Sequence, residues 1–149
     1  MWYVDFIWKL TVILLLLIAA GIGKAIMDVT RFRFATSVFA KYVNSFWVNP
    51  EISWRNKYKN RDPQQGEAFP GSTTIFVFVT DLWHFSQFIF LRCILFVPVF
   101  YALFSRHYTT LSGFCGLHHW SMWIVDYVFL SAVFGLTFTL FYSIVFKKK

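Results

Sequence analysis

The stretch Ile75–Phe104, IFVFVTDLWHFSQFIFLRCILFVPVFYALF, decides how this chain is read. Two apolar runs flank TDLWHFSQ, Thr80 to Gln87, which puts Asp81, His84 and Gln87 into an otherwise continuous hydrophobic pattern. Taken as one helix from Thr74 to Phe104, the segment would be about 46 Å long against a hydrocarbon core of about 30 Å. It must tilt steeply or project beyond the bilayer. If Phe88–Phe104 fills the hydrocarbon, the polar octet falls at the membrane interface, where Trp83 anchors among the headgroups.

The rest of the chain supports that setting. Hydrophobic residues make up 58% of it and charged residues 14%, and 20 residues are Phe, a balance outside the range of soluble domains. Two more runs reach the roughly 20 apolar residues a membrane span needs, about 6–26 and about 120–146, beside the span within 74–104. The expected fold class is an all-α integral membrane protein, a single membrane domain over 1–149 with three transmembrane helices. The first run is too long for a signal-peptide core, and Asp5 lies where a signal carries positive charge, so it reads as a retained helix.

The net charge of +7 follows membrane topology. Arg31, Arg33, Lys41, Arg55, Lys57, Lys59 and Arg61 lie between the first two spans and Lys147–Lys149 after the third, whereas the loop between the second and third holds only Arg106. Positive loops of this length stay inside, so the expectation is an outside N-terminus, a cytoplasmic C-terminus and a multi-pass protein of a bacterial inner membrane. Cations distributed in this way do not form the basic face that nucleic acid requires.

Within the first loop, Phe32, Ala35, Phe39, Tyr42, Val43 and Phe46 recur at helical spacing opposite Arg31, Thr36, Ser37, Lys41, Asn44 and Ser45. That pattern predicts an amphipathic interfacial helix over about 31–46, with cations towards anionic lipid headgroups. Residues 47–73 lack a period and read as a cytoplasmic loop. Pro70-Gly71 forms a turn, and Ser72, Thr73 or Thr74 is placed to cap the second span.

Asp81 and His84, at i,i+3, share one helix face. Anchoring the helix and bonding the basic loop accounts for both. The rival reading is a proton-handling or metal-ligating pair completed by Asp62 or Glu67. His118 and His119 diverge by about 100° on a helix and lie at the opposite face of the membrane from His84, so they read as interfacial anchors beside Trp120 and Trp123.

Arg92 and Asp126 each fall inside a span, where a charge costs about 3 kcal/mol or more. A short loop joins the second and third spans, so these should be antiparallel neighbours whose Arg92 and Asp126 form an ion pair fixing register. Ser131, Gly135, Thr139 and Ser143 recur every four positions on the third span, and Ala19 and Gly23 do so on the first; such stripes let helices approach closely.

G-x-S-x-G, P-loop, H-E-x-x-H and C-x-x-C are absent, and Cys93 and Cys115 define no framework. No cofactor is expected, a metal at Asp81 and His84 being the alternative. The sequence leans away from an enzyme. It points to an accessory, scaffold or assembly subunit whose partners are the bilayer, other membrane subunits or copies of itself. The alternative is a membrane enzyme or ion-handling protein with an inner-interface site at Asp81 and His84.

Overall fold

A computed structural model describes residues 2–104 and 121–148; Arg106, Cys115, His118 and His119 lie outside the described residues. The regular structure of these residues is helical, with no strand among them, and three of the helices are long and apolar enough to cross a membrane. They are α1 (Trp2–Phe32), α3 (Leu82–Phe104) and α4 (Ser121–Leu140), the last running on as a π-helical turn, Phe141–Val145. A one-turn helix, α2 (Pro50–Ser53), and several 3-10 turns form the connector between α1 and α3.

The second and third spans are not the neighbours their short loop suggested. α1 lies between α3 and α4 and packs on both, while α3 and α4 barely meet among the described residues, with the Phe90 and Phe134 rings 6.1 Å apart. Small residues on α1 are the cause. A Cβ at Gly21 would stand 2.9 Å from Thr137 Cβ of α4, and one at Gly23 would stand 3.0 Å from the Ser86 carbonyl oxygen of α3. Two positions are about 200° around a helix, so the two glycines admit a neighbour on opposite sides. Ala20 and Ala25 are fully buried along the same helix. The outer surfaces stay apolar and uncovered, with Leu15, Leu95, Leu136 and Ile144 well exposed, a belt suited to lipid or to other protein.

The connector departs from expectation at both ends. In place of one amphipathic helix over 31–46, α1 takes up Arg31 and Phe32, and two 3-10 turns follow, Phe34–Thr36 and Val38–Tyr42. Ser37 breaks the run. Its extended backbone lets the hydroxyl accept from Phe39 N–H at 3.1 Å and donate to Phe34 O at 2.8 Å, a local alternative to helical bonding. At the far end α3 begins at Leu82, not near Thr74. Ser72, offered as its cap, is buried and donates to Lys57 O at 2.7 Å, while Gly71, at φ +79°, turns the chain.

Between these ends the connector is internally bonded. Asn49 caps α2 by accepting from Glu51 N–H, with Pro50 in the first turn, where its missing donor costs nothing. Asn56 Nδ2 donates to both Phe46 O, at 2.5 Å, and Thr80 O, at 2.8 Å, and Leu82 N–H donates to Trp47 O at 2.9 Å. These bonds clamp the connector onto the start of α3. The other end of the connector meets the tail after α4: Val38 N–H donates to Phe146 O at 2.9 Å, and Lys148 N–H to Thr36 O at 3.0 Å.

Candidate functional site

Asp81 is where the connector and α3 join. Its side chain caps α3, accepting from His84 N–H through Oδ1 at 2.9 Å, while its carbonyl accepts from Phe85 N–H. Thr80 Oγ1 lies 3.1 Å from Oδ2 and His84 Nδ1 lies 2.6 Å from the same oxygen. This answers why polar residues interrupt the apolar run. The start of a helix leaves N–H groups without partners, and a carboxylate there supplies an acceptor and complements the helix dipole.

The Asp81 side chain is 2% exposed and that of His84 18%. Burial by itself would raise the Asp81 carboxyl, but hydrogen bonds from the His84 ring and backbone, the charge of His84 and the Thr80 hydroxyl outweigh it and hold the group below its ordinary 3.8. An ionised carboxylate only accepts, so Nδ1 of His84 carries the proton and Nε2 is left for another partner.

His84 and Asp81 line a cleft of about 280 Å³ with Arg31, Ser53, Trp54 and Trp83. Three parts of the fold meet there. Arg31 comes from the last turn of α1, Ser53 and Trp54 from α2 and the residue after it, and Trp83 and His84 from the first turn of α3. Trp83 stands edge-on to the His84 ring, with centroids 5.0 Å apart. Arg31 and a carboxylate-supported imidazole share this recess with two indoles, so its wall is partly apolar and offers Arg31 N–H donors beside the Asp81–His84 pair. Such a recess suits an anion whose remainder is not strongly hydrated.

The loop carboxylates thought to complete the pair are used elsewhere. Asp62 accepts from Gln64 N–H at 2.9 Å, and Glu67 accepts from Gly71 N–H at 2.9 Å and from the Thr73 hydroxyl. Both Asp81 oxygens serve internal bonds, and among the described residues no three His, Cys, Asp or Glu side chains group as metal donors. Asp81 and His84 are brought together by capping.

Salt bridges among the described residues include Asp81–His84 and Lys24–Asp28, the latter 2.5 Å along α1. Arg92 is exposed, with its guanidinium 5.2 Å from the centroid of the Phe88 ring, and Asp126 is 5% exposed on α4. With α1 between their helices, the neighbour geometry on which an Arg92–Asp126 pair depended is not present. Of the small-residue stripe, Ser131, Thr139 and Ser143 are exposed and a Cβ at Gly135 would meet nothing within 4 Å; α4 meets α1 instead through Phe134 and Thr137.

Sequence reasoning passed over Lys24–Asp28, although Lys and Asp at i,i+4 signal a helix pair. Arg31 carried no such signal, because its place beside His84 depends on the crossing of α1 and α3.

Among the described residues the regular structure is thus helical, with three helices fit to span a membrane and a polar cleft where two of them meet the connector. No family model, curated protein or solved structure matches it.

Proposed function

We propose that this is a multi-pass membrane protein, with connector and C-terminal lysines on the cytoplasmic side, that holds the anionic headgroup of a lipid in the cleft between Arg31 and His84. One observation carries the reading: Arg31 lines the same recess as a histidine whose Nδ1 is already committed to Asp81. Trp54 and Trp83 in its wall fit the headgroup level of a bilayer, where amphipathic rings accumulate. No bond-making step is assigned. Glycerol phosphate, a soluble headgroup analogue, titrated into the purified protein should change the tryptophan fluorescence saturably. Arg31→Gln, folded as judged by circular dichroism, should lose that response. A response unchanged in Arg31→Gln and in His84→Gln sinks the reading.

A second reading has its own observation. The Ser131, Gly135, Thr139 and Ser143 face of α4 is not covered by α1, which favours an accessory or scaffold subunit that packs this face against another membrane helix. Purification in mild detergent should then give a species heavier than the monomer. A monodisperse monomer without a co-purifying chain removes this reading and leaves the cleft untouched.

A further inference from the structure

A second recess, of about 670 Å³, opens where the π-helical turn after α4 meets the 3-10 turns after α1. Its wall is divided by polarity. Val38, Ala40, Ile144 and Val145 supply the apolar part, and Lys41, Lys147 and Lys148 the charged part. Among the described residues no carboxylate lines it. The frame holding these groups is backbone: the tail runs antiparallel to residues 36–38 through the bonds to Phe146 O and Thr36 O, and the Phe39 and Phe146 rings meet at 5.2 Å. The π turn widens the helix at this point, with Phe146 N–H reaching Phe141 O at 2.9 Å, a local geometry that frequently accompanies binding sites.

We infer that this recess is a specific site for one anionic phospholipid, its phosphate among the three lysines and the start of an acyl chain against Val38, Ala40, Ile144 and Val145. The charges select the ligand's sign. Like charges on short, adjacent segments repel one another, and an anion relieves that repulsion while each lysine contributes to attraction at an anionic surface. The apolar wall selects an amphiphile over a free anion, because soluble phosphate would leave that wall wet. The volume falls within the range of ordinary ligand sites and exceeds that of the Arg31–His84 cleft, so the recess has room for chain as well as headgroup. The site is separate from that cleft and does not depend on it.

Native mass spectrometry of the full chain in detergent, with phosphatidylglycerol or phosphatidylcholine added at equal concentration, tests the inference. With Arg31→Gln present in every sample to disable the cleft, phosphatidylglycerol should be retained in preference, and adding the triple change Lys41→Gln, Lys147→Gln, Lys148→Gln should reduce its retention at least about tenfold. Two comparisons keep the result specific. Lys57→Gln, Lys59→Gln, Arg61→Gln removes the same charge elsewhere and should retain the lipid, and Ala40→Phe should weaken retention with every lysine in place. Arg31→Gln should leave this lipid bound, which separates the site from the cleft. Equal loss in both triple variants, or full displacement of the lipid by inorganic phosphate, overturns the proposal.

Discussion

Asp81 shows how one side chain answers several needs at once. It caps α3, orients His84 and keeps its charge under burial, because the bonds to its oxygens favour the ionised form. Asp81→Ala should therefore cost about 1–2 kcal/mol, the usual loss for a helix cap, read as a lower melting temperature in detergent. Asp81→Asn should cost less, since an amide oxygen still accepts from His84 N–H. The sign of the pH effect follows from the lowered carboxyl. Its contribution to stability is present above the unfolded-state value of about 4 and is lost as pH falls through the folded one. Melting temperatures measured from pH 7 to pH 3 should fall at the acid end for the wild type, and the Asp81→Asn curve should be flatter there. An acid limb of equal steepness in both proteins removes Asp81 as its source.

At the scale of elements, the two kinds of glycine differ in what a side chain would meet. Gly21→Ala and Gly23→Ala push a Cβ against α4 and against backbone of α3, so each should destabilise by about 1–3 kcal/mol through forced separation of the helices. Gly135→Ala meets nothing and should stabilise the isolated chain by up to about 1 kcal/mol through helix propensity. Denaturant melts of the three variants would falsify this account if Gly135→Ala proved the most harmful in a monomer.

The same contrast marks what could be read from sequence. Span composition was legible because apolar length is a local property. The partner of each small-residue stripe was not, since spacing places residues on a face without saying which helix covers it. The start of α3 was missed for a related reason: Thr74 and Asp81 are both competent caps in isolation, and the bonds that Thr80 O accepts from Asn56 and that Leu82 N–H donates to Trp47 O, both distant in sequence, select Asp81. The failed interfacial helix had the right apolar period, but Ser37 offers its backbone a competing bond that periodicity does not register.

For the molecule as a whole, the orientation proposed for the cleft makes a direct prediction. A reporter fused after Lys149 that is active only in the cytoplasm should give signal, and one active only outside should stay silent; the reverse result inverts the topology and moves the cleft to the outer face.

The central position of α1 also bears on how the chain reaches its final state. α1 precedes both of its neighbours, yet its Gly21 side can be filled only by α4, more than a hundred residues later in order of synthesis. α1 and α3 can pair as soon as the connector is complete, whereas α3 and α4, although consecutive, give each other little to dock on. Assembly in the bilayer is thus expected to pass through a two-helix intermediate with one groove of α1 open to lipid, closed last by α4 on the side of α1 away from α3.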